Sequence, residues 1–148
     1  MALPTVVTNV RRPRVVAIAA ILGVLLLTSC TEQQLELVEH INTTRSEHGL
    51  PSLIPHPVAM DNAQAWAETM ATDGELRHSE LSDGITGDWL VIGENVGYSG
   101  DIPTVHQAFL DSAAHRANIL DERFNRVGTG YAEGDDGRIW VAQVFVKY

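Results

Sequence analysis

Cys30 is the only cysteine in the chain, and it stands at the end of an unbroken apolar run. One cysteine excludes any internal disulfide and any cysteine-rich zinc site. Whatever fold the chain adopts must therefore hold by packing alone. The residues before Cys30 are of another kind from those after it. Residues 1–14 carry Arg11, Arg12 and Arg14 and no acid, and residues 15–27 contain no polar side chain. Thirteen apolar residues are too few for a membrane-spanning helix, which needs about 20. They suit the core of an export signal, about 7–15 residues long behind a basic start. The run closes as Leu27-Thr28-Ser29-Cys30. This resembles a bacterial lipobox, in which the cysteine receives a diacylglycerol before cleavage. The expectation is a signal peptide over 1–29 and a folded domain over 30–148, joined to the membrane by a short lipidated (palmitate-bearing) tether at Cys30. The alternative is an ordinary secretory signal, with Cys30 incidental and the protein secreted. Both readings place the protein outside the cytoplasm.

Without residues 1–29 the chain keeps 7 basic and 19 acidic residues, a net charge of -12. That excess excludes a nucleic-acid partner, because phosphate binding runs on clustered Lys and Arg. A chain of 119 residues has enough surface to bury for one real core.

Local signals divide the domain into three helices and a late hairpin. Thr31 with Gln34 three residues on is a capping box. Leu37, Val38, Ile41, Thr44 and His48 then fall on one helical face, with His48 partly buried, and Gly49 stops the helix. Pro51, Pro55 and Pro57 keep the chain extended. A second helix runs from about Val58 to Gly74, with Ala59, Ala63, Trp66 and Met70 on its buried side, which places Trp66 in the core. Residues 75–101 hold five glycines and read as a structured loop, with a further strand near 89–92. Asp101 caps a third helix with Pro103 in its first turn. Residues 127–133 and 138–148 are strands joined by Gly134-Asp135-Asp136-Gly137, whose acids form a solvated turn. Helices first and strands last indicate an α+β layered domain. His40, His56 and His106 read as surface or loop residues.

The motifs in order resemble the CAP superfamily, the cysteine-rich secretory, antigen 5 and pathogenesis-related proteins together with the SCP-like proteins of bacteria. The resemblance rests on Ile41-Asn42, Arg45, Gly49-Leu50 and Leu53; on Ala63, Ala67 and Met70; on His78-Ser79; and on Gly93-Glu94-Asn95-Val96. It continues through Phe109, Ser112 and His115-Arg116-Ala117-Asn118-Ile119-Leu120, then Phe124, Val127-Gly128, Gly130 and the strand 140–145. It covers about residues 34–148. The resemblance implies an α-β-α sandwich with a central antiparallel sheet and an open cleft where two histidines and two acids converge. The first histidine falls on His78 and the first acid on Glu94. The second acid falls on Ser112 and the second histidine on Trp140, so two of the four positions depart. His115, one turn after Ser112 on the same helix face, is the stand-in for the lost histidine, while Asp111 points away.

Two imidazoles and a carboxylate are a fair set for zinc or another divalent cation, so His78, Glu94 and His115 are the expected metal or ligand cleft. The same three side chains also read as a hydrogen-bonded network that only pins helices to sheet. Asn95, Ser112, Arg116, Asn118 and Gln143 are expected to support the cleft, with Gln143 facing it. Three functions follow. The first is a non-catalytic envelope binding module, a monomer that takes a metal, a small apolar ligand or an envelope protein. The second is a metal-dependent hydrolase of peptide or envelope polymer with Glu94 as base. The third is a structural or adhesion protein. No nucleophile with a paired base stands at an evident spacing.

Overall fold

The computed structural model describes residues 30–81, 84–85 and 87–148; the expected signal peptide, 1–29, lies outside them. Helix α1, Glu32–Glu47, begins at the expected capping box. Gln34 N donates to Thr31 Oγ1 at 3.2 Å, and Thr31 N donates to Gln34 Oε1 at 2.8 Å. Leu37, Val38, Ile41 and Thr44 are buried, as their spacing requires. His48 is not part of that face. It is the exposed C-cap residue, its Nδ1 2.8 Å from the Thr44 carbonyl, because the chain turns away through Gly49 at φ 71°.

Arg45 on α1 is fully buried. Its Nε donates to the Pro51 carbonyl at 2.8 Å, and one terminal nitrogen donates to the carbonyls of Ile119 and Asp121 at 2.8 and 3.0 Å. Burial lowers its pKa and Asp121 opposes that shift. Three carbonyls, one from the loop after α1 and two from the end of the helix at 113–120 and the residue that follows it, thus converge on one guanidinium, whose fixed fork suits the task.

After the two-residue strand β1, Ile54–Pro55, helix α2 spans Pro57–Asp73, with proline in its first turn and Gly74 in the left-handed conformation at its end. Ala59, Ala63, Ala67 and Met70 are its buried face. Trp66, expected in the core, is only half-buried. It sits at the margin of that stripe, and its Nε1 donates to the Arg77 carbonyl at 2.9 Å. Strand β2, Val91–Ser99, replaces the later part of the expected glycine-rich loop. The glycines misled because Gly93 and Gly97 lie within the strand, where a Cβ would come 3.1 Å from Asn118 Oδ1 and 2.8 Å from the Phe109 ring. They admit neighbours rather than turns.

The expected third helix is two: α3, Ile102–Asp111, and α4, Ala113–Leu120, broken at Ser112, whose φ of -89° and ψ of 118° are extended. Ser112 and His115 therefore do not share one helix face. His106 on α3 is a second correction, being 6% exposed rather than on the surface. Its Nε2 lies 2.8 Å from Thr44 Oγ1 and its ring 5.2 Å from that of His40.

Strands β3, Arg126–Glu133, and β4, Ile139–Lys147, form the expected hairpin. The sheet order is β1-β3-β4-β2. The two longer pairings are antiparallel, but β1 joins β3 in parallel, so the sheet is mixed. Helix α2 covers one face, where Ala63, Met70, Trp140 and Val144 pack together. Helices α1, α3 and α4 cover the other, over Leu37, Ile41, Phe109, Val127, Val141 and Phe145. The α-β-α sandwich follows from β4, which is apolar on both faces and buried along nearly its whole length. Helix α2 lies against β3 with its backbone: a Cβ at Gly128 or Gly130 would come within 2.0 Å of Ala59 or Ala63 backbone atoms.

Candidate functional site

The site is built on β2, the edge strand opposite β1. Alternation along a strand sends successive side chains to opposite faces. Glu94 pairs with Val144 and so turns toward the α2 side; Asn95 pairs with Gln143 and turns toward α4. The Gly-Glu-Asn motif thus serves three purposes. Gly93 lets Asn118 approach, Glu94 reaches one layer, and Asn95 reaches the other.

Glu94 is 5% exposed, and its carboxylate is fully engaged. Ser79 N donates to Oε1 at 3.0 Å and Ser79 Oγ donates to Oε2 at 2.6 Å, while His78 Nδ1 lies 2.7 Å from Oε1. A buried carboxylate is tolerable only with such partners. The His78 side chain is 61% exposed, and its Nε2 has no partner among the described residues. The Ser79 hydroxyl is spent on Glu94, so Ser79 and His78 do not form a nucleophile–base pair.

On the other side of β2, Asn95 Nδ2 donates to Gln143 Oε1 and to the His115 carbonyl, both at 3.1 Å. Asn118 Nδ2 donates to Asn95 Oδ1 at 2.9 Å and to the Glu94 carbonyl at 3.1 Å. Gln143, expected to face the cleft, is instead fully buried beneath α4 beside Asn95, and its Nε2 has no partner. Its parity along β4 decides this, since Val144 is the residue of β4 opposite Glu94. Arg116 is exposed and donates to the Leu110 carbonyl at 2.9 Å, bracing the break at Ser112, itself half-buried.

His115 is half-buried, its ring 5.2 Å from that of Phe109. Desolvation lowers its pKa, and the charge on His78 lowers it further. The two imidazoles are therefore close enough for His78 to oppose protonation of His115. They do not complete a metal site with Glu94: among the described residues, no three His, Cys, Asp or Glu side chains are gathered to hold an ion. The cause is local, since Glu94 turns toward Ser79 and His78 while His115 stays with Phe109 on α4. The donor set does not fit zinc. Trp140, the resemblance's second histidine position, also lies apart. It pairs with Tyr98, four residues along β4 from Val144.

Beside His78 lies a groove of 440 Å³ between α2, residues 77–81 and Ile85. Val144, Ile85, Ala65, Leu81 and Trp66 supply apolar wall, and Asn62, Thr69, Arg77, His78, Ser79 and Glu80 supply the polar remainder. The Arg77 guanidinium lies 5.2 Å from the Trp66 ring centroid and pairs with Asp73 and Glu75. Of this lining only His78 was expected as a site residue. A tryptophan at the edge of an otherwise small-residue helix stripe was the signal for the rest.

Cys30 is half-buried against the α1 side of the core, one residue before the cap of α1. Among the described residues no helix is long and apolar enough to cross a membrane.

A helix layer on each face of a four-stranded sheet, with a His–Glu pair at the edge strand, defines a CAP-type domain. The chain belongs to the cysteine-rich secretory protein (CAP) family, whose pattern matches residues 38–145. It is 28% identical over 129 residues to the uncharacterized protein YkwD of Bacillus subtilis, covering 81% of this chain but only 49% of that one. Among solved structures, an extracellular SCP-domain protein of Bacillus anthracis superposes with a TM-score of 0.68 at 24% identity, over 78% of this chain and 40% of that one. An outer surface protein of Borrelia burgdorferi superposes with a TM-score of 0.69 at 16% identity, over 80% and 95%. The chain thus spans about half the length of the first relative or less of the second.

Proposed function

We propose that this protein is an exported CAP-domain lipoprotein, held at the outer face of the cell membrane through Cys30, that works as a non-catalytic binding module for a small, largely apolar ligand. The groove beside His78 carries the reading. At 440 Å³ it falls in the range of ligand sites, and it combines apolar wall with a few polar groups, as such sites do. Its polar groups are set for recognition. Glu94 spends both oxygens holding Ser79 and His78, which leaves His78 Nε2 to contact the ligand. Export is supported by the basic and apolar leader and by the extracellular and outer-surface descriptions of two structural relatives.

One observation favours a second reading, hydrolysis. A buried carboxylate 2.7 Å from His78 Nδ1 is the arrangement that orients an imidazole as a general base. It lacks a partnered nucleophile, so binding is preferred.

The test is a titration of the full chain in uncharged detergent with a fluorescent medium-chain fatty acid analogue. Leu81→Arg places a long charged side chain in the groove and is expected to weaken binding at least tenfold, while Ile54→Arg, on an exposed residue outside it, leaves binding unchanged. Equal affinity for the parent and Leu81→Arg, or no saturable binding by the parent, overturns the proposal.

A further inference from the structure

The C-terminal end of α2 faces the β3–β4 hairpin across a second concavity, away from His78. Two adjoining cavities of 240 and 200 Å³ share Ala71, Thr72 and Asp135. Their acids are Glu68 and Asp73 from α2 and Glu133, Asp135 and Asp136 from the hairpin. Two are already answered by arginines, Asp73 by Arg77 and Asp136 by Arg138. Among the described residues Glu68, Glu133 and Asp135 have no cationic partner: Gln64 donates to Glu68, and the Tyr131 hydroxyl donates to Glu133. Helix α2 ends here at Gly74, so the negative end of its dipole adds to the same field.

A second feature points to the kind of ligand. Trp140 forms part of the wall, is 1% exposed, and its Nε1–H has no partner among the described residues. That nitrogen lies beside Gly134, where a Cβ would come 2.7 Å from it. A buried N–H of this kind calls for an acceptor. The occupant must therefore bring an acceptor to Trp140 and positive charge to the carboxylates. A bare cation brings only the second, and no three acids are gathered to hold one among the described residues. An extended lysine-rich peptide brings both, through a backbone carbonyl and its ammonium groups.

We infer that this acidic trough is a docking surface for a lysine-rich peptide segment of a partner protein, with a peptide carbonyl accepting from Trp140 Nε1. The probe is acetyl-tetralysine amide, titrated into the full chain in uncharged detergent. Calorimetry gives the affinity, and the indole region of a proton–nitrogen correlation spectrum reports on Trp140. Saturable binding that shifts the Trp140 indole resonance and weakens as salt rises is expected, because exposed charges are screened. Glu133 and Asp135 are exposed, so the double variant Glu133→Gln with Asp135→Asn is expected to fold and to bind at least tenfold more weakly. Trp140→Phe keeps a ring and loses the N–H, and is expected to weaken the peptide severalfold. Spermine, which carries charge and no carbonyl, is expected to bind parent and Trp140→Phe alike. The inference fails if the double variant binds the peptide as the parent does, or if Trp140→Phe does. It fails also if spermine distinguishes Trp140→Phe as strongly as the peptide does, or if calcium moves the indole resonance and the peptide does not.

Discussion

Lowering the pH from 7 to 4 should unload a large part of this domain's stability through one side chain, His106. Its ring is wedged between α3 and α1, with Thr44 Oγ1 at 2.8 Å from Nε2 and His40 beside it. The other nitrogen, Nδ1, is buried without a partner. Protonation would place a charge there and leave an N–H with no acceptor. Desolvation, and to a lesser degree the charge of His40, lower its pKa from 6.5 to about 4. The unfolded chain takes up this proton near pH 6.5 and the folded chain only near 4. Between those values the unfolded state binds more protons, so stability falls as the pH falls. The full shift would correspond to about 3 kcal/mol at about 1.4 kcal/mol per unit. Solvent reaching this outer helical layer reduces the expectation to about 2 kcal/mol. Urea unfolding at half-unit steps from pH 7 to 4 measures it, and at an m-value of about 2 kcal/mol/M the midpoint should move by about 1 M. His115 titrates in the same direction, and the lowered carboxyls of Asp101, Asp121 and Asp136 act at lower pH, so the discriminating measurement is a difference. His106→Gln retains an amide to meet Thr44 and has no proton to gain. Its midpoint should be flatter across this range by that 1 M. An equal slope in parent and variant would refute the assignment to His106.

Three further outcomes are expected. Arg45→Met should cost about 3 kcal/mol or more, because three backbone carbonyls lose a charged donor; thermal melts check it, and a shift of about a degree or two would mean that those carbonyls find other partners. Trp66→Ala should cost about 1–2 kcal/mol, below the roughly 3–5 of a fully buried aromatic, since the ring is half-buried on the groove wall; a loss at the upper figure would place the ring in the core after all. Cys30→Ala should abolish lipid labelling and move the protein from the membrane to the soluble fraction, and an unchanged distribution would end the lipoprotein reading.

Much of the candidate site was legible because its residues are neighbours along the chain. His78-Ser79 and Gly93-Glu94-Asn95 each form a short motif, and the structure joins them at 2.7 Å across two segments. The placement of Gln143 was not legible. Polar residues on a strand that is buried on both faces give no alternation from which to read a side, and only the register against β2 decides it. His115 was placed by assuming one continuous helix, and the extended Ser112 removed that assumption.

The sequence by itself determined where α1 is capped, where α2 ends, and that β3 and β4 form a hairpin. Each of these depends on groups within a few residues of one another: the Thr31–Gln34 exchange, Gly74 in the left-handed region, the four-residue turn. Tertiary structure decided the rest. It made a strand of the glycine-rich 91–99 segment by pairing it along β4, buried His106 by packing α3 on α1, left Trp66 at a groove, and set Glu94 against Ser79 rather than His115. The physical reason is the same in each case. The free energy that settles such positions comes from contacts between residues far apart in the chain, and local propensity carries no record of them.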